Sequence, residues 1–170
     1  MLIGCFGDPG LFALRDGVGV PVSGLAEAAF AAAAWHGRFA IVTGGDRWRP
    51  MLSRLANALG HGQTLAGIHT VAPTGAQLAA DPAGARKLLV EACCQAVDRF
   101  KANAVILGGA GLAGMAADIA SQVPVPLIDS VTAGAQWALD ALRNPATRSV
   151  APAGFGIAWQ NVSWELEALP

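Results

Sequence analysis

The sequence predicts an α/β fold: a parallel sheet with helices on both faces, in two pseudo-symmetric lobes of which the first is reduced. Three observations carry this. Apolar strand-like runs alternate with Ala-rich helical stretches, as when crossover helices join parallel strands. Those runs are apolar throughout, as expected of strands covered on both faces. One pattern also occurs twice. Leu2-Ile-Gly-Cys-Phe-Gly-Asp-Pro-Gly10 and Val105-Ile-Leu-Gly-Gly-Ala-Gly-Leu-Ala-Gly114 are both apolar runs ending in a Gly-rich turn. Each is followed by a Val-Pro step, a second apolar run and a helical stretch. Cys5 stands at the turn of the first copy and Gly109 at the matching place in the second.

Taken in order, strands are expected at Leu2–Phe6, Val20–Gly24, Phe39–Thr43, Leu65–Val71, Ala104–Leu107 and Val125–Ile128. Between them, Leu25–Trp35 is Ala-rich and stops at His36-Gly37, a helix-ending glycine. Pro50–Leu59 begins with an early proline and stops at Gly60. Asp81-Pro82 pairs an N-cap with proline at the first helical position and opens a long helix to about Lys101. Leu112–Ser121 and Val131–Leu142 are the last helices, and Asn144-Pro145 ends the pattern because a residue before proline avoids the helical region. Residues 1–37 with 130–170 form the expected reduced outer lobe and tail, and 38–129 the central lobe. The chain opens directly in an apolar strand and reads as a fold without its first unit. The tail holds Trp159 and Trp164 and is expected to pack on its own domain or on a partner chain.

Composition narrows the function. The formal net charge is −1 with no basic cluster, which argues against nucleic acid as a partner. The longest window without Asp, Glu, Lys or Arg, Leu55–Ala80, is broken by polar residues, Pro73 and glycines, so no membrane span is expected. No basic segment precedes an apolar one at the start. Three cysteines, two of them adjacent, are no disulfide framework and fit a reducing cytoplasm. No Cys/His pair has zinc-ligand spacing, and neither a metal nor a cofactor is expected.

From the residues alone Cys5 has two readings. It is either a small buried hydrophobe or a thiol whose anion is favoured by backbone N–H groups and a helix N-terminus at a strand's carboxyl end. Gly109-Ala-Gly-Leu-Ala-Gly114, with Asp129 20 residues on, also fits a dinucleotide fingerprint, although it comes late and lacks a second mononucleotide half.

Cys5-Phe-Gly-Asp-Pro-Gly-Leu11 resembles the first active-site segment of the aspartate/glutamate/hydantoin racemase superfamily, its hydantoin and allantoin racemase branch above all. Pro21-Val-Ser-Gly-Leu-Ala-Glu-Ala28, Phe39-Ala-Ile-Val-Thr43 with Pro50, Ala104-Val-Ile-Leu-Gly-Gly-Ala-Gly-Leu112 and Val125-Pro-Leu-Ile-Asp129 resemble further segments of that branch, in order. The resemblance implies cofactor-independent racemisation of an amino-acid-like carbon acid, such as a hydantoin or an acidic amino acid, with Cys5 catalytic. It implies substrate binding by backbone N–H groups of Phe6, Gly7, Gly109 and Ala110 and by Thr43 and Gly44, which suit a charged enediolate. Arg47 and Arg49 lie in the same central loop as possible attractors of an anion, or as a solvated helix start. The family carries a second cysteine where this chain has Gly109, and an N-terminal unit that this chain lacks. With one thiol, a one-base decarboxylase or isomerase is an alternative; a non-catalytic binding protein that kept the fold is another. The expected partners are a small anionic substrate and a second copy of the chain, in a homodimer covering sheet surface left open by the reduced lobe.

Overall fold

The computed structural model describes residues 1–144; the expectations for the Trp-bearing tail lie outside the described residues. In chain order it contains β1 (Leu2–Ile3), α1 (Leu11–Gly17), β2 (Ser23–Gly24), α2 (Leu25–Ala34), β3 (Phe39–Gly44), α3 (Trp48–Ala58), β4 (Leu65–Val71), α4 (Gly75–Ala80), α5 (Pro82–Phe100), β5 (Ala104–Gly108), α6 (Met115–Ile119), β6 (Leu127–Asp129) and α7 (Ser130–Arg143), with 3-10 turns at Ala110–Leu112 and Ala120–Gln122. All strand pairing is parallel. One sheet runs β4-β3-β5-β6, and β1 pairs with β2 in a separate two-stranded sheet. The fold class is α/β, as the sequence predicts.

The period of two along a strand explains the two cores. Ala40, Val42, Val105 and Leu107 face α5 and α6, where Leu89, Ala92, Cys93 and Ile119 meet them. Phe39, Ile41, Ala104 and Ile106 face the other way, onto Phe30 of α2 and Leu52 of α3. Every residue of β3 and β5 is buried, which is why neither strand shows a polar alternation.

Both repeated units adopt the same local plan: a strand, a turn, a parallel partner strand and then a helix. The helices of the two units, α2 and α7, pack against each other. Several boundaries differ from expectation. β1 ends at Ile3 because Cys5–Asp8 folds into a turn, closed by the Asp8 N–H donating to the Cys5 carbonyl at 3.1 Å. Only Ser23 and Gly24 of the Val20–Gly24 run reach the register opposite Leu2 and Ile3. The helix expected over Leu112–Ser121 is broken by Gly114, whose φ of 82° is left-handed, leaving only Met115–Ile119 as α-helix. Helices α1 and α4 were not anticipated. No helix among the described residues is long and apolar enough to cross a membrane.

Candidate active site

Sheet topology places the site. The chain runs from β3 to β4 on one side, then crosses to β5 on the other side of β3. The carboxyl ends of β3 and β5 therefore flank a topological switch point, where open α/β sheets form their crevice. Thr43 and Gly44 end β3, and Gly109 and Ala110 follow β5. The turn after β1 brings Cys5 and Phe6 to the same place, and these six residues line one cavity of about 440 Å³.

Each side chain there has a defined setting. Cys5 is a free, exposed thiol, so the buried-hydrophobe reading does not hold for it. Thr43 is only 3 % exposed, it lines the cavity, and among the described residues its hydroxyl is not left buried without a partner. The Phe6 ring is core: it lies edge-on to Phe30 at 6.5 Å and against Gly108, where a Cβ would sit 2.2 Å from the ring. Gly7 is not among the lining residues. A Cβ on it would fall 2.7 Å from Met51 and 2.9 Å from Trp48, and its N–H turns towards the Asp8 carboxyl. The Gly109 N–H, expected to face substrate, instead donates to the buried Ser130 hydroxyl at 3.2 Å.

The polar residues behind the cavity are occupied. The carboxylate of Asp8, 3 % exposed, accepts from the N–H groups of Ala26 (2.9 Å) and Glu27 (2.8 Å) at the start of α2. Burial raises its pKa, and those two hydrogen bonds pull the other way. Glu27 accepts from Ser23 at 2.6 Å and pairs with Arg15 at 2.5 Å. Asp129 caps α7 through Val131 and Thr132 and also accepts from Gly114 N–H at 2.7 Å. Its carboxylate is therefore engaged by backbone, unlike the ribose-binding acid of a dinucleotide site. Arg49 turns to the edge of β4, donating to the Ile68 carbonyl and the Thr70 hydroxyl, and neither it nor Arg47 lines the cavity. His61 packs edge-on to Phe30 and Phe39; among the described residues no group of His, Cys, Asp and Glu is placed to hold a metal.

A family profile described as Asp/Glu/Hydantoin racemase matches residues 1–138. The chain belongs to the Asp/Glu/hydantoin racemase family. It is 34 % identical over 138 residues to hydantoin racemase of Pseudomonas sp. (strain NS671), an alignment covering 81 % of this chain and 55 % of that protein. Among solved structures it is similar to allantoin racemase from Pseudomonas fluorescens, with a TM-score of 0.81 at 26 % identity over 91 % of this chain and 65 % of that one. Allantoin racemase from Klebsiella pneumoniae gives 0.78 at 31 % identity, over 99 % and 69 %. The chain spans a little over half the length of the curated relatives it matches.

Sequence reasoning missed Trp48 and Thr74 as lining residues of this family member's cavity. The Trp48 ring lies over Gly7 and Gly45; it opens α3 but stands among Asp46, Arg47 and Arg49 in the sequence and carries no periodic signal. Thr74 did have one, since Thr74 and Gln77 form a capping box for α4, which brings this turn to the cavity rim. Among the described residues that line the cavity, Cys5 is the only titratable one. The cavity thus joins one thiol to a threonine and Gly-rich backbone.

Proposed function

We propose that this chain acts on a small carbon acid of the hydantoin or amino-acid class through Cys5, without a cofactor. The observation that carries the proposal is the convergence of an exposed thiol, Thr43 and the Gly44 and Ala110 turns on one cavity. Its volume suits a ligand of this size. The Cys5 thiolate removes the α-proton. The C–H electron pair moves onto the neighbouring carbonyl as an enolate, whose charge Thr43 and turn N–H groups stabilise. Return of the proton from Cys5 restores the centre; a solvent water that protonates the opposite face inverts it, and the hydroxide it leaves takes the proton from the Cys5 thiol.

The lining favours a second, narrower reading. Gly109 brings no side chain to the cavity, and among the described lining residues Cys5 alone can carry a proton there. A one-thiol decarboxylase or isomerase needs no more: loss of carbon dioxide leaves an enediolate that the Cys5 thiol protonates on one face. Two-base racemisation is the less natural outcome. The same proposal takes residues 1–37 with 130–170 as a reduced outer lobe and tail, of which 145–170 lie outside the described residues, 38–129 as the central lobe, and the reducing cytoplasm as the compartment, supported by free thiols at Cys5, Cys93 and Cys94. It also includes a homodimer, supported by the apolar groove of Met1, Val20, Trp137 and Leu142.

Deuterium uptake from solvent at the α-carbon, measured separately for each enantiomer of a monosubstituted hydantoin, tests this. Exchange that stops on Cys5→Ala supports thiol chemistry; uptake from one enantiomer alone supports the one-base form. Binding without exchange or decarboxylation of any such acid would leave a non-catalytic protein.

A further inference from the structure

We infer that Asp8 is a positioning residue, which fastens the Cys5 turn to the N-terminus of α2 and so fixes where the thiol stands in the cavity. This rests on the thiol chemistry proposed above. Asp8 is buried and does not line the cavity, so it acts through Cys5 rather than on substrate. Its two ends do different work. The backbone N–H closes the turn by donating to the Cys5 carbonyl, and the carboxylate receives two amides at the start of α2, 18 and 19 residues away.

Comparison of the two repeated units shows that this is more than a cap. In the second unit the N-cap residue of α7, Asp129, serves its own helix by accepting from Val131 and Thr132, the N2 and N3 amides. The corresponding N-cap of α2 is Gly24, which has no side chain to do so. Asp8 reaches across from the turn and accepts from Ala26 and Glu27, again the N2 and N3 amides. The carboxyl even occupies the space of the missing side chain: a Cβ on Gly24 would lie 2.1 Å from Asp8 Cγ, and its nearest neighbours are all Asp8 atoms. A helix cap drawn from the residue beside it would have held α2 equally well. Drawing it from the Cys5 turn adds a tie between turn and helix. Asp8 keeps a left-handed φ of 51° to make it, a conformation uncommon outside glycine.

The geometry supplies a variant that separates the two roles. Asp8→Gly fits the left-handed backbone at residue 8. Gly24→Asp fits at φ −127° once the Asp8 carboxyl is gone. The double variant therefore moves the carboxylate from turn to helix and copies the second unit. The urea midpoint, amide hydrogen exchange at residue 8 and the iodoacetamide rate of Cys5 relative to Cys94 are read in each protein. Asp8→Gly alone should lower the midpoint. The double variant should restore it, while exchange at residue 8 stays about tenfold or more above wild type and the Cys5 rate stays about threefold or more away from it. Wild-type protection and Cys5 rate returning together with the midpoint would overturn the inference and leave Asp8 a helix cap. Should the double variant fail to fold, Asp8→Asn, which keeps the shape and one acceptor, replaces it. Faster exchange at residue 8 supports the tie, and unchanged exchange there refutes it. A wild-type Cys5 that labels no faster than Cys94 refutes the thiol chemistry instead, and exchange at residue 8 still decides the tie.

Discussion

Replacing Gly109 with cysteine would put a second thiol into the cavity that Cys5 lines, and the structure sets what that costs. A Cβ at this position meets nothing closer than Leu112 at 3.7 Å, an ordinary contact, so no clash arises. The backbone is the obstacle: φ is 141° and ψ 131°, a region essentially restricted to glycine. Holding another residue there costs about 1–3 kcal/mol. For a protein of this size that lowers the urea midpoint by about 1 M. Gly109→Ala should be destabilised equally, since the strain belongs to the backbone and not to the thiol. Comparing the two variants therefore cancels the structural cost and isolates the chemistry. An absent base costs about 10²–10⁴-fold in rate, or roughly 3–5 kcal/mol of barrier. Gly109→Cys should regain part of that in racemisation, read as deuterium uptake from both enantiomers, while Gly109→Ala gains none. Two results would refute the reasoning. Equal, fast uptake from both enantiomers in the wild type would show that another group already supplies the second proton. A Gly109→Cys protein as stable as wild type would show that the turn is not held in its glycine conformation.

Limiting iodoacetamide at neutral pH should label Cys5 first, because Cys93 is fully buried and burial pushes its thiol up to about 12; peptide mapping that finds Cys93 labelled first contradicts this. The Asp8 carboxyl, raised by burial above its ordinary 3.8, holds its proton more tightly folded than unfolded. The proton-linked part of its contribution is thus full below that value and is lost as pH rises through the folded pKa, while the two amide hydrogen bonds to the carboxylate remain. The urea midpoint of wild type minus that of Asp8→Asn should fall over this window, and a difference that grows with pH would reverse the sign. A homodimer through the groove beside α7 should dissociate on Val20→Glu with Leu142→Glu, residues 47 % and 82 % exposed, since a charge at a buried apolar contact is costly. Sedimentation showing a wild-type monomer across micromolar concentrations would end that proposal.

The local patterns settled much of this molecule. Uniformly apolar runs at Phe39–Thr43 and Ala104–Leu107 required cover on both faces, and the structure supplies it with α2 and α3 on one side and α5 and α6 on the other. Asp81-Pro82 marked the start of α5, where the Asp81 side chain accepts from Gly84. Thr43 and Gly109 were legible as strand-end residues, because parallel strands deliver their carboxyl ends to one edge of a sheet; Cys5 follows β1 of the separate two-stranded sheet. The short elements were less legible. α1 opens at Gly10 with no side-chain cap and follows an Asp-Pro-Gly that reads as a turn. What only the tertiary structure decided is who meets whom across many residues. Asp8 lies in an Asp-Pro-Gly turn, yet its side chain caps a helix 18 residues on; Glu27 lies in the first turn of α2, yet its carboxylate binds Ser23 and Arg15. Gly109 read as an open donor, yet its amide is held by Ser130, and Trp48 became a wall only because Gly7 leaves room for its ring. Periodicity and turn chemistry act over a few residues and fix each element. These contacts depend on the placement of one element against another, which follows from packing the whole core.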